Sequence, residues 1–222
     1  GMNIHRDPLC GRNFEYFSED PLLTGRMGAA VVTGVQEAGV SACPKHFAAN
    51  NQETNRTRND SRVSEQALRE IYLRGFEICV REATPRTLMT SYNQVNGVWA
   101  HYHYDLVTVV LRDEWGYDGC VVTDWGIEDA VDPDGSALRD NAYRVRAQVD
   151  VLMPGGVKTD DEGPQAYADD TVAEALRSPD GLTRGELQRG ARHGLGLVLA
   201  LAPVSDAHGW HRRAGTGPPA VA

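Results

Sequence analysis

The stretch Gly119-Cys120-Val121-Val122-Thr123-Asp124-Trp125-Gly126 sets a carboxylate and a large aromatic ring at the end of a short, β-branched apolar run. Such a run reads as a buried strand. An acid at the carboxyl end of a buried parallel strand is where α/β barrels carry their catalytic groups. Asp124 is therefore the first candidate for nucleophilic or acid–base work. Trp125 beside it offers a flat apolar face, which suits the face of a sugar ring. Asp is also a favoured helix cap, so Asp124 equally fits a structural role at the start of the following turn.

Other polar groups sit at comparable positions. Lys45-His46 ends a second apolar run; two donors side by side can hold hydroxyls or act on the acidity of a neighbour, or the pair is a solvated Lys beside a core His. Arg12, in Cys10-Gly11-Arg12-Asn13-Phe14-Glu15, has the rigid fork that grips two hydroxyls; its structural alternative is an ion pair with Glu15 or Glu19. Tyr92, in Met89-Thr90-Ser91-Tyr92-Asn93-Gln94-Val95-Asn96-Gly97, can touch a substrate or hydrogen-bond a nucleophile, or it is a core tyrosine. Its Asn-Gly pair signals a tight turn. His101-Tyr102-His103 has the His-x-His spacing of some zinc sites, but no third ligand is obvious nearby, and open catalytic zinc sites use three protein ligands. The expectation is no metal and no organic cofactor.

These residues need a scaffold. Strands are expected at 40–47, 87–92, 119–123 and 149–153, and helices at 22–38, 64–82, 105–115, 137–147, 171–176 and 184–201. The clearest helix is 64–82, where Leu68, Ile71, Tyr72, Gly75, Phe76 and Cys79 recur at helical spacing behind a Ser64 cap. Glu19-Asp20-Pro21 reads as the structural start of another. Strand then helix, repeated, argues for parallel β/α units, with the unusual polar residues just after the strands, Met153-Pro154-Gly155-Gly156 among them. No G-x-G-x-x-G follows the first strand, which weakens a dinucleotide-binding reading. The fold expected is α/β: a (β/α)8 TIM-like barrel, incomplete here because only about five units are convincing where roughly 250 residues are usual. Early strands are expected outside this chain. Residues 1–202 form that partial domain, and 203–222, rich in Ala, Gly and Pro, read as a linker or disordered tail.

Composition narrows the partners. With 222 residues and a net charge of -9, and with basic residues that alternate with acids, the chain lacks the basic patch nucleic acid requires. No apolar run is long enough to span a membrane. No secretory leader is visible, which favours the cytoplasm, although residues 1–5 read as mid-strand rather than as a natural start. The four cysteines have no C-x-x-C spacing; Cys79 and Cys120 lie in apolar runs and read as buried free thiols.

Taken in order, Gly11-Arg12-Asn13-Phe14-Glu15-Tyr16-Phe17-Ser18-Glu19-Asp20-Pro21, Lys45-His46-Phe47-Ala48-Ala49-Asn50, Met89-Thr90-Ser91-Tyr92-Asn93 and Val122-Thr123-Asp124-Trp125 closely resemble glycoside hydrolase family 3, in its β-glucosidase branch. The resemblance runs from the first residue to about Leu201. It implies a retaining, exo-acting glycosidase acting on terminal β-D-glucosyl residues of a β-glucoside or oligosaccharide, with Asp124 as nucleophile and covalent attachment site. It implies that Arg12, Lys45 and His46 bind sugar hydroxyls, that Tyr92 lies close to the nucleophile, that Trp125 lines the pocket, and that the Lys45–His46 peptide is cis. Asp124 near Lys45 and Arg12 is expected to have its charged form favoured. Family members also carry an acidic sugar-binding residue on an early strand and a general acid/base, usually Glu, from a later domain; both are expected outside this chain. The N-acetylglucosaminidase branch uses a loop His as acid, and the corresponding Ala48-Ala49-Asn50-Asn51-Gln52-Glu53 has none. An isolated chain is accordingly expected to be weak or inactive. Two alternatives remain open at this point: a non-catalytic sugar-binding remnant using Arg12, Lys45 and His46, and a metal-dependent barrel hydrolase using His101 and His103.

Overall fold

The computed structural model describes residues 1–126, 140–153, 157–160, 163–166 and 171–201. Its helices are α1 (Pro21–Glu37), α2 (Glu65–Ala67), α3 (Arg74–Ala83), α4 (Asn141–Arg146), α5 (Thr171–Arg177) and α6 (Arg184–Ala200). Its strands are β1 (Asp60–Ser61), β2 (Thr87–Met89), β3 (Gln94–Val95), β4 (Val98–Trp99), β5 (Cys120–Val122), β6 (Val157–Asp160) and β7 (Gly163–Ala166). Leu68–Tyr72 and Asp105–Glu114 are wound as π-helix.

Parallel neighbours in chain order make the framework. β2 pairs with β5, Thr87 opposite Cys120 and Met89 opposite Val122. Parallel bridges extend this sheet from Phe47 to Thr90 on one side and from Val122 to Val151 on the other. Beyond Phe47, the Met2 amide donates to the Lys45 carbonyl at 2.7 Å. Asn3 then clasps the His46 peptide, accepting from its N–H at 3.0 Å and donating to its carbonyl at 2.9 Å. A helical segment separates each strand position from the next. This is the alternation of an incomplete TIM-like barrel, and it brings the residues that follow Phe47, Met89 and Val122 to one face.

Local chemistry explains the elements. The Asp20 carboxylate accepts from the Leu22 and Leu23 amides at 2.7 and 3.2 Å, with Pro21 in the first turn of α1, so Glu19-Asp20-Pro21 is a helix start as expected. Ser64 caps α2 through the Ala67 amide at 3.2 Å. Asn96 and Gly97 both take positive φ, 52° and 87°, and turn β3 into β4 with Val95 opposite Val98, the two-residue hairpin that Asn-Gly favours. A Cβ on Gly25 would fall 2.7 Å from Ile78 Cβ, so glycine is what lets α1 lie directly against α3. At the centre, fully buried Phe47 meets Phe76 and Trp115 edge-on, with ring centroids 5.3 and 5.9 Å apart; burying one such ring contributes about 1.5–3 kcal/mol.

Some expectations are corrected. Of 40–47, only Phe47 bridges to a neighbour, because Pro44 offers a carbonyl to Met89 but has no amide to give. Of 149–153, only Val151 bridges. The helix expected at 105–115 is present but wound with i→i+5 bonds; the β-branched succession Val107, Thr108, Val109, Val110 crowds the tighter α winding. β1, β3, β4, β6 and β7 were not expected as strands, although the tight turn at Asn96-Gly97 that joins β3 to β4 was. Residues 137–139 of the predicted 137–147 helix, the Pro154-Gly155-Gly156 turn and the 203–222 tail lie outside the described residues.

Toward the amino-terminal ends of the strands, the Asp150 side chain is buried and both its oxygens are engaged. It accepts from Arg112 Nη2 at 2.7 Å, from the Val121 amide at 2.8 Å and from His193 Nδ1 at 2.9 Å. Arg112 also donates to the Tyr117, Gly119 and Gln148 carbonyls. One carboxylate thereby ties α6 and the 105–114 helix to β5.

Candidate active site

Asp124 leaves β5 at its carboxyl end and is 8% exposed. His46, 1% exposed, is held by the Asn3 clasp so that its Nε2 lies 3.4 Å from Asp124 Oδ2. Tyr92, carried by the loop after β2, is buried and hydrogen-bonds the Asp124 carboxylate with its side chain. Arg12 Nη1 lies 3.1 Å from His46 Nε2, and its Nε donates to Glu15 Oε1. Lys45 Nζ is 3.7 Å from Glu15 Oε2. The Lys45–His46 peptide is cis, as is Phe47–Ala48.

The structure therefore brings Arg12, Lys45, His46, Tyr92 and Asp124 together. For Arg12, both readings of the sequence hold: it pairs with Glu15 and reaches His46. Trp125 follows directly in the chain and is 53% exposed.

The electrostatics depart from expectation in one respect. Asp124 was expected to have its charged form favoured, yet its carboxyl lies above the ordinary carboxylate range. Burial raises it and outweighs the opposing pull of Arg56, Arg12, Lys45 and the Tyr92 hydrogen bond. The cations act in the direction anticipated; desolvation is larger. Burial, reinforced by the Arg12 and Lys45 charges, takes His46 down to about 2, so its ring is neutral at physiological pH. Glu15 goes the other way: burial alone would raise it, but Arg12 and Lys45 hold it below the usual range.

Several buried polar atoms here have no hydrogen-bond partner among the described residues: Asp124 Oδ2, His46 Nδ1, Thr90 Oγ1, Asn50 Oδ1 and Asn93 Oδ1. Such groups are rare in folded interiors, and a concentration of them marks a place shaped for something other than packing. A buried carboxylate with open lone pairs, a neutral imidazole and a set of cations suit nucleophilic attack on a polyhydroxylated substrate.

Sequence reading missed three contributors. Arg56 stacks over the Tyr92 ring at 4.9 Å, is braced by Glu53 at 2.8 Å and is the foremost charge acting on Asp124. Its signal was the polar run from Asn50 to Asp60 following a strand, where barrels place functional groups. Asn3, which sets the His46 peptide, precedes every motif that draws attention. Glu15 was read only as a partner for Arg12.

The histidine pair is otherwise occupied. His101 is buried, accepts at Nδ1 from Arg144 Nε at 3.1 Å and is held low by burial and the Arg144 charge. His103 Nδ1 accepts from the Leu106 amide at 3.3 Å. Among the described residues, no group of three or more His, Cys, Asp or Glu side chains is placed to hold a metal ion, and no helix is long and apolar enough to cross a membrane. All four cysteines are free thiols; Cys79 and Cys120 are buried as read, and so is Cys10. A cleft of about 470 Å³ borders this region through Ala49, Asn51 and Gln52 but is otherwise lined by Arg6, Asp7, Ser61, Arg62 and Tyr72, without Asp124. The site is located by its titratable groups, not by the volume of that cleft.

Comparison with known proteins gives a consistent result. Residues 2–177 match the family model of the glycosyl hydrolase family 3 N terminal domain. A beta-glucosidase from Ruminococcus albus is 52% identical over 203 residues, covering 90% of this chain and 20% of that protein. An exo-alpha-(1->6)-L-arabinopyranosidase from Bifidobacterium longum is 45% identical over 199 residues, 89% of this chain and 23% of that protein. The structure of beta-glucosidase 3B from Thermotoga neapolitana in complex with glucose aligns with a TM-score of 0.79 at 42% identity, covering 92% of this chain and 27% of that one. The chain spans about a fifth of the length of the curated relatives it matches.

Proposed function

Because the chain belongs to glycosyl hydrolase family 3, we propose that it is the nucleophile-bearing part of a retaining, exo-acting glycosidase that cleaves terminal β-D-glucosyl residues. In this reading the anomeric carbon of the sugar is attacked by Asp124, a covalent glycosyl-enzyme forms, and water then hydrolyses it. Arg12, Lys45 and His46 bind the hydroxyls of the terminal sugar, Tyr92 orients the carboxylate, and Trp125 lines the approach. The observation that carries the reading is Asp124 itself: a buried carboxylate at a strand end, oxygen Oδ2 unpaired, next to a neutral His46 and within the influence of three cations.

Neutral His46 matters to this chemistry. A protonated imidazole beside Oδ2 would hold the carboxylate as an ion pair, whereas a neutral ring leaves its charge for the oxocarbenium-like transition state. Burial that raises the carboxyl makes the ionised form more basic and more reactive once formed.

Retention also requires a second carboxyl group about 5–5.5 Å away to protonate the leaving group and later activate water. We assign that group to a part of the protein beyond these 222 residues. The isolated chain should then turn over unactivated glucosides poorly, because a positioned acid contributes roughly 10²–10⁴-fold. The glucosyl preference is drawn from the beta-glucosidase relatives; another relative is an exo-alpha-(1->6)-L-arabinopyranosidase.

The test is Asp124→Asn in the intact protein, assayed on an aryl β-glucoside. Loss of roughly 10⁴-fold or more in kcat, the scale on which removing a hydrolase nucleophile acts, with glucose binding retained, is expected. Activity within tenfold of wild type would sink the assignment.

A further inference from the structure

Glu15 lies outside any direct contact with Asp124, yet it organises the groups that reach it. One carboxylate oxygen accepts from Arg12 Nε and the other faces Lys45 Nζ at 3.7 Å. Both cations act electrostatically on the His46 ring. Arg12 then extends Nη1 to His46 Nε2 at 3.1 Å. A guanidinium has only donors to offer, so Nε2 is the accepting nitrogen, and in a neutral ring the proton sits on Nδ1, which has no hydrogen-bond partner among the described residues; the Arg12 contact, and not an acceptor at Nδ1, sets the tautomer.

That choice of tautomer has a consequence 3.4 Å away, at Asp124 Oδ2. With its lone pair turned to Arg12, Nε2 has no proton to give Oδ2, in keeping with an oxygen that lacks a hydrogen-bond partner among the described residues. The opposite tautomer would place an N–H against that oxygen and occupy the lone pair that must attack. A hydrogen bond to a charged acceptor is strong enough to lower its reactivity by about tenfold or more.

We infer that Glu15 is a positioning residue: by anchoring Arg12, it fixes His46 as the Nδ1–H tautomer and so keeps Asp124 Oδ2 free of a donor. The inference rests on the reading of Asp124 as nucleophile for its functional meaning, but its structural content is measurable without turnover.

Two other histidines supply internal controls. Arg144 donates to Nδ1 of His101, which requires the Nε2–H form there. Arg192 faces His193 Nε2 at 3.2 Å while Nδ1 faces Asp150 at 2.9 Å, which requires the Nδ1–H form. Long-range proton–nitrogen correlation spectra of the ¹⁵N-histidine-labelled chain at neutral pH read all three, with His46 assigned by the signals lost in His46→Gln. The expected result is a pure Nδ1–H form for His46 in the wild type and the appearance of the Nε2–H form in Glu15→Ala, with His101 and His193 unchanged. Glu15→Asp, one methylene too short to bridge Arg12 and Lys45, should show the same change in smaller proportion and serves where the alanine variant does not fold. A wild-type His46 in the Nε2–H form, or any folded Glu15 variant with His46 wholly Nδ1–H, overturns the inference. Should the tautomers respond as expected while Asp124→Asn remains active, the nucleophile assignment fails and the Glu15 arrangement stands.

Discussion

Asp150 and Asp124 lie on neighbouring strand positions, and each has a histidine and an arginine close by. Around Asp150 both oxygens are used, by Arg112, the Val121 amide and His193. Around Asp124 one oxygen has no hydrogen-bond partner among the described residues, His46 Nε2 faces it at 3.4 Å without donating, and the cations act at a distance. The same residue types thus serve opposite ends. Complete pairing makes a buried charge part of the scaffold; incomplete pairing keeps it available for chemistry.

The comparison can be broken by substitution. Asp150→Ala strands Arg112 and His193 without their shared acceptor, and a loss of about 3–5 kcal/mol in stability is expected, as when one partner of a buried pair is removed. Urea unfolding measures it; a loss under about 1 kcal/mol would show that the amino-terminal cluster is not a structural clamp.

A pH-dependent effect separates His46 from the scaffold. Its folded value, about 2, lies below its ordinary 6.5 because of burial and then the Arg12 and Lys45 charges. On acidification the unfolded chain takes up this proton first. The stability that depends on a neutral His46 is therefore present above pH 6.5 and is lost progressively as pH falls from there toward 2. His46→Gln should flatten the fall in unfolding free energy across that window, and an unchanged slope would contradict the burial of a neutral ring.

The smallest effect concerns Asp124 in the ground state. Its carboxyl is raised, chiefly by burial, so the folded state prefers the protonated form. Stability associated with that preference is present at low pH and is lost as pH rises through the raised value. Asp124→Asn should be slightly more stable than wild type at neutral pH, the difference closing as pH falls. A destabilised Asn variant would place Asp124 with Asp150 as a structural carboxylate.

Much of this was legible in the sequence, for reasons that differ by residue. Asp124 stood out because a β-branched run ends in it, and α1, the 64–82 helix and the Asn96-Gly97 turn announced themselves through caps, periodicity and turn chemistry. Arg56 and Asn3 did not. Each acts through a contact distant in the chain, Arg56 on Tyr92 and Asn3 on the His46 peptide, and no local pattern encodes such a contact. Asp150 was hidden for the same reason: its partners lie at 112, 121 and 193. The sign of the Asp124 shift was also out of reach. Counting nearby cations predicted a lowered carboxyl, but the balance turned on burial, which only the packed structure supplies.

The account stands most directly on whether Asp124 becomes covalently glycosylated. A β-glucoside bearing fluorine at C2 and a dinitrophenolate leaving group needs no acid assistance to depart and hydrolyses slowly once attached, so it labels a retaining nucleophile. Peptide mass spectrometry of the intact protein after incubation should find one 2-deoxy-2-fluoroglucosyl unit on Asp124, and none on that peptide in Asp124→Asn. A label on another carboxylate, or hydrolysis of the reagent with no adduct and inversion at the anomeric carbon, would contradict it.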